Sequence, residues 1–272
     1  VVLLVPEPVA TAVDGLRRAF SDPALEHVAP HITLVPPVNV RTDDLAGGLG
    51  VLRAAAAEVG PLDLVIGPVT TFEGEEHVAY LEVRGDDRAV TGLRRLQHLA
   101  FRPPFERQVD HDFVPHVTLT QGVDETRLRA VVAAASGWEG ETVCVDALHL
   151  LEEHHPPEGK RWTPIADVPL GPRRVVGRGG LEVELTAGQL VDPEAAAAVT
   201  AGLADELSEA ELVWAHDGLT VVARLEGQVV GVAHGRGGTL KRVWVREDHE
   251  EYVRPHLLAA WSDEVVRRDD SD

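Results

Sequence analysis

Apolar and polar positions change period repeatedly along this chain. Alternation at every second residue marks half-buried strands, and spacing of three and four marks helices. Residues 1–5 read as a strand, and "PVATAVDGLRRAF" (8–20) as a helix. "HITLV" (31–35) is a strand and "DDLAGGLGVLRAAAAEV" (43–59) a helix. "LDLVIGPVTTF" (62–72) and "HVAYLEVRG" (77–85) form a strand pair across the polar turn "EGEE". "DDRAVTGLRRLQHLAF" (86–101) opens with acids and continues as a helical stripe. "DFVPHVTLT" (112–120) is a strand and "DETRLRAVVAAAS" (124–136) a helix. "ETVCVDALHLLEE" (141–153) and "KRWTPIADVPL" (160–170) make a further strand pair around the loop "HHPPEG". The order is βαβα-ββαβα-ββ, and its second half repeats its first.

Past residue 170 the pattern changes. "GPRRVVGRGG" (171–180) has the composition of a linker. "LEVELT" is a strand, and "DPEAAAAVTAGLADEL" (192–207) a helix with Asp192 as its cap and Pro193 at its first position. "LVWAHDG", "LTVVARLEG", "QVVGVAHGRG" and "LKRVWV" are short strands broken by glycine turns, and "RPHLLAAWSDEVVRR" (254–268) closes as a helix. The expected organisation is an α/β domain over 1–170, a linker over 171–180, and a second α/β domain over 181–272 with a mostly antiparallel sheet.

One short phrase occurs in both halves of the first domain: "APHITLV" at 29–35 and "VPHVTLT" at 114–120. On a strand, residues i and i+2 point the same way. His31 and Thr33 therefore share one face, with Ile32 and Leu34 turned to the core. His116 and Thr118 share a face likewise, with Val117 and Leu119 behind. Two imidazoles suit phosphoryl transfer at a small phosphodiester. One removes a proton from the attacking oxygen and the other protonates the leaving oxygen. Histidine can do both near neutral pH. The threonine hydroxyls can donate to the non-bridging phosphate oxygens, where negative charge grows. No metal and no other cofactor is needed for this chemistry.

Charge and composition narrow the partners. The formal net charge of −20 argues against sequence-independent binding of long duplex nucleic acid, which needs clustered Lys and Arg. It leaves room for an RNA end or a small cyclic nucleotide in a local pocket. Cys144 is the only cysteine, which excludes an intrachain disulfide and a cysteine metal cluster. No apolar run is long enough to span a bilayer, so no membrane partner is expected and the cytoplasm is the default location. His111 reads as a solvated loop residue. His154 and His155, beside Glu152 and Glu153, have no distant third ligand that would make a metal site. Among Arg102, Arg107, Lys160 and Arg161, only Arg161 is favoured as a substrate contact, because it opens the closing strand.

The two His-x-Thr motifs and the elements around them resemble the 2H phosphoesterase superfamily, which includes the 2′-5′ RNA ligase and cyclic phosphodiesterase proteins. "VTTFEGEEHVAYLEV" is similar to the family's strand pair after the first motif, and "LHLLEE…RWTPIADVPL" to its closing pair. The resemblance covers residues 1–170. It implies a bilobal, pseudo-two-fold α/β (α+β) fold with mostly antiparallel sheets. It implies hydrolysis of 2′,3′-cyclic phosphates to 2′-phosphates, or reversible 2′-5′ RNA joining. It carries the catalytic roles to His31 and His116 and the phosphate contacts to Thr33 and Thr118. Phe72 matches an aromatic near the family's nucleotide base.

The tail is similar to the core of a GNAT-type acetyltransferase over residues 181–268. That family follows a strand, here "LKRVWV", with a glycine-rich turn whose backbone N–H groups hold the pyrophosphate of acetyl-CoA. This chain has "HEEYVRPHLL" there, with Tyr252 and Arg254 in place of the glycines and Glu250 and Glu251 beside them. The expectation is a GNAT-like domain without a working acetyl-CoA loop, whose protein partner is unknown. The rival readings are an acetyltransferase that uses the first domain to bind its target, and a catalytically silent RNA- or nucleotide-binding module.

Overall fold

The computed structural model describes residues 1–20, 22, 25–72, 77–109, 111–157, 159–171, 174–178, 181–188, 197 and 218–269. The chain divides into two compact units, Val1–Thr163 and Pro164–Asp272.

In the first unit the chain runs β1 (Val2–Leu4), α1 (Val9–Ala19), β2 (His31–Thr33), α2 (Leu45–Ala57), β3 (Leu62–Phe72), β4 (Val78–Arg84), α3 (Asp87–Ala100), β5 (His116–Gln121), α4 (Glu125–Ala135), β6 (Glu141–Val145) and β7 (Ala147–His154). β8 (Arg161–Pro169) carries the unit boundary inside it. Two four-stranded sheets form, in the orders β2-β1-β7-β8 and β5-β4-β3-β6. Each has a His-x-Thr strand at its edge, and β2 and β5 lie against one another. The halves exchange strands: β3 joins β4 of the second half, and β7 joins β1 of the first.

The alternation expected around both motifs fixes the register. Leu3 pairs with Ile32, and both are fully buried. A slip of one residue would turn both outward, at roughly 1.5–3 kcal/mol each, and would bury His31 and Thr33 instead. The second sheet repeats the logic, with Leu81 paired to Val117 and both fully buried. The helices back these inward residues: α2 packs on β7 and on α3, α3 on β3, and α4 on β3 and β4. Two helices are capped as their leading acids suggest. Asp86 accepts from the Ala89 N–H at 2.7 Å, and Asp124 from the Arg127 N–H at 2.8 Å.

Three expectations change. The run 141–153 is not one strand. It breaks at Asp146, so that β6 pairs with β3 in one sheet and β7 with β1 in the other. An apolar alternation says that a strand is half-buried, not which sheet it joins. The stretch 171–180, read as a linker, contains β9 (Arg174–Arg178). "HITLV" contributes only His31–Thr33 to regular pairing.

In the second unit, β9, β10 (Leu181–Gly188), β11 (Leu219–Leu225), β12 (Gln228–Arg236) and β13 (Thr239–Val245) form an antiparallel sheet in the order β13-β12-β11-β10-β9. Helix α5 (Glu250–Asp269) packs Val253, Leu257, Ala260 and Trp261 onto it, a one-sided stripe at helical spacing. The helix expected over 192–207 and the strand "LVWAHDG" lie outside the described residues, apart from Ala197 and Gly218.

Candidate active site

Both motif histidines are held the same way. Nδ1 of His31 lies 2.7 Å from the Ala29 carbonyl, and Nδ1 of His116 lies 2.8 Å from the Val114 carbonyl. A carbonyl oxygen can only accept, so Nδ1 carries the proton in each ring and Nε2 keeps its lone pair. In each motif the carbonyl belongs to the residue two before the histidine, and a proline stands between them. The repeated Pro-His therefore places a backbone acceptor under each ring.

Burial depresses both histidines. It pushes His31 down to about 4 against the hydrogen bond to Ala29, and Arg17 and His116 add like-charge repulsion. Burial also lowers His116, with a further contribution from His111. A proton on one ring thus disfavours a proton on the other, as expected for groups on adjoining edge strands. Thr33 and Thr118 stand beside them on the same faces, half-buried.

Phe72 belongs to this group. Its ring meets His116 edge-on at 4.9 Å and stacks on Tyr80 at 4.0 Å. A bulge in β3 delivers it. The register with β4 shifts between Ile66 and Val69, and Gly67 sits at φ 125°, where a side chain would be strained. Trp138 seals the bulge by donating to the Ile66 carbonyl at 2.7 Å, and Arg84 donates to the Gly67 carbonyl at 2.9 Å.

Three residues that sequence reasoning missed surround the motifs. Tyr80 is the cross-strand partner of Thr118, and its ring lies 5.3 Å from that of His116. Glu82 is the partner of His116. Arg17 is buried on α1, where it donates to Asp22 at 3.0 Å, Asp14 at 3.0 Å and the Val28 carbonyl at 2.9 Å. It ties down the segment that leads to Ala29 and His31. The buried face of α1 includes Arg17 among valines, and an arginine on an apolar stripe was the available signal.

Arg161 is not brought to the histidines. It is exposed and opens β8, at the sheet edge opposite β2. The start of a strand says nothing about which edge that strand occupies. The "EEHH" residues pair among themselves, His154 with Glu152 at 3.3 Å and His155 with Glu153 at 2.9 Å, while Lys160 reaches Glu153 at 2.8 Å. Among the described residues no group of three or more His, Cys, Asp or Glu side chains could hold a metal ion. No described helix is long and apolar enough to cross a membrane.

This arrangement can be set beside known proteins. The family model of the 2′-5′ RNA ligase superfamily matches residues 5–157. The chain belongs to that superfamily. The match contains both motifs, the two edge strands and the Phe72–Tyr80 wall. Provisionally named phosphoesterases from Bacillus thuringiensis (strain Al Hakam) and Bacillus cereus (strain Q1) are each 29% identical over 125 residues, 46% of this chain and 70% of theirs. Escherichia coli LigT, solved in complex with 3′-AMP, aligns with TM-score 0.47 at 17% identity, covering 62% of this chain and 95% of that one. TT0787 of Thermus thermophilus aligns with TM-score 0.42 at 17% identity over the same shares. Members of the 2′-5′ RNA ligase superfamily are 2H phosphoesterases, and the relatives that the chain resembles in sequence carry phosphoesterase names.

Proposed function

We propose that the first unit is a metal-independent phosphoesterase acting on 2′,3′-cyclic phosphate ends of RNA or nucleotides, or on 2′-5′ linkages in the reversible joining reaction. The observation that carries this reading is the matched pair of histidines, each with Nδ1 on an i−2 carbonyl and Nε2 left to exchange a proton. The more strongly depressed His31 is the general base. In hydrolysis it takes a proton from water as the water oxygen bonds to phosphorus. His116, protonated, gives its proton to the 3′ oxygen as the P–O3′ bond breaks. The product is a 2′-phosphate, and the base and acid exchange states for the next turnover or for the reverse direction. Thr33 and Thr118 donate to the non-bridging oxygens, and Phe72 with Tyr80 offers a stacking wall for a base beside His116.

The test is a screen of nucleoside 2′,3′-cyclic phosphates and 2′-5′-linked dinucleotides in the presence of EDTA, with product regiochemistry identified. Turnover to 2′-phosphates in chelator is the expected result. Activity lost in chelator and restored by a divalent ion would overturn the mechanism.

A further inference from the structure

His149 on β7 has no part in that chemistry, yet pairing places it on the same face. Val2 is the direct partner of Thr33 on one side and of His149 on the other. Directly paired residues project to the same side of a sheet, so Thr33, Val2 and His149 form one row. Strands lie ~4.8 Å apart, which puts His149 about 10 Å from Thr33 across the row. The other sheet has the matching row Thr118, Tyr80, Thr70. A phosphate held between Thr33 and Thr118 therefore has a flank on each side. One is the aromatic wall of Tyr80 and Phe72. The other is Val2 and His149.

We propose that His149 is a substrate-contacting residue that hydrogen-bonds the second nucleoside of a linear phosphodiester, the one lying along β1 and β7. The proposal deepens the two-histidine reading and rests on it. Nδ1 of His149 is buried with no hydrogen-bond partner, a state that native structures rarely leave unexplained. Burial pushes the ring down to about 4, so it stays neutral at neutral pH. A neutral imidazole offers one donor and one acceptor. That suits a sugar hydroxyl or a base edge better than a phosphate, and its distance from Thr33 suits a nucleoside attached to the bound phosphate. A cyclic mononucleotide stacked on the Phe72 side would leave this flank empty.

His149→Leu and His149→Gln are compared with the wild-type full chain on two substrates, a nucleoside 2′,3′-cyclic phosphate and a 2′-5′-linked dinucleotide, with thermal melts alongside. The expected result is a rise in KM for the dinucleotide of about tenfold or more in His149→Leu, partly restored in His149→Gln, because loss of one hydrogen bond in a polar subsite acts on that scale. Hydrolysis of the cyclic mononucleotide should stay close to wild type in both. An unchanged dinucleotide KM, or equal losses on both substrates, overturns the proposal and makes His149 structural. If His149→Leu does not fold, His149→Gln alone decides by the same comparison. A wild-type chain inactive on both substrates overturns the two-histidine reading itself and this proposal with it.

Discussion

At the scale of residues, the paired imidazoles make sharp demands. His31→Ala and His116→Ala should each lower turnover by about 10²-fold or more, the usual contribution of general acid–base groups. The double variant should be little worse, because in the proposed mechanism both groups act in one step. Assigning His116 as the acid adds a further outcome. A substrate whose leaving group needs no proton should largely rescue His116→Ala and leave His31→Ala impaired, as steady-state rates on an aryl phosphodiester would show. Both rings are held below the ordinary 6.5 of histidine, His31 at about 4. The free enzyme therefore reaches its one-protonated form on the acid side, and kcat/KM should peak below pH 6.5. A bound phosphate favours the imidazolium, so the kcat profile should lie at higher pH than the kcat/KM profile. The same depression fixes the sign of a stability effect. Below 6.5 the unfolded chain takes up protons that the half-buried His31, His116 and His149 refuse. The contribution of His31 and His149 is complete above that value and is lost as pH falls toward about 4, and that of His116 declines below 6.5 in the same direction. Urea midpoints measured at about pH 7.5 and pH 5 should show it, and His149→Leu should flatten the difference.

At the scale of elements, the caps of α3 and α4 are separable from the chemistry. Asp86→Ala and Asp124→Ala each remove an acceptor for a first-turn N–H and should cost about 1 kcal/mol of stability. KM and kcat should be unchanged, which denaturant unfolding and kinetics on the same samples would check. The acids that open α3 were legible in the sequence, as were both helices and the faces of the two His-x-Thr strands. All depend on residues within a few positions of one another. What stayed hidden depends on pairing between distant segments. Nothing near Tyr80 says that Thr118 will lie opposite it, and nothing near His149 says that Val2 will bridge it to Thr33. The crossing of the chain between sheets at Asp146 left one local trace, a change of phase in the buried positions from Val143 and Val145 to Leu148 and Leu150, but that trace does not say which sheet receives each strand. A cation at a strand start, as at Arg161, likewise carries no information about the edge that strand takes.

At the scale of the whole molecule, the boundary inside β8 decides where the chain can be cut. β8 runs to Pro169 and completes the sheet that carries His31. A fragment ending at residue 170 keeps that strand and should retain phosphoesterase activity. One ending at Thr163 loses most of it, turns β7 into an edge and should unfold at lower temperature. The second unit calls for a different test. A likeness to acetyltransferases is an expectation from sequence alone, and the start of α5 is poorly built for a pyrophosphate. Anion binding there needs close backbone approach and a favourable dipole. Glu250 and Glu251 instead place negative charge in the first turn. Arg254, the cation that could offset them, is bonded to Glu250, and Pro255 inside the helix removes an N–H. Tyr252 has a ring where close approach would need no side chain, and it packs edge-on against His256 at 5.4 Å. Calorimetry of the full chain against acetyl-CoA should therefore show no binding at physiological concentrations. A dissociation constant in the low-micromolar range would mean that this helix start binds the cofactor despite its charge, and acetyl transfer would then have to be assayed as a second activity of the chain.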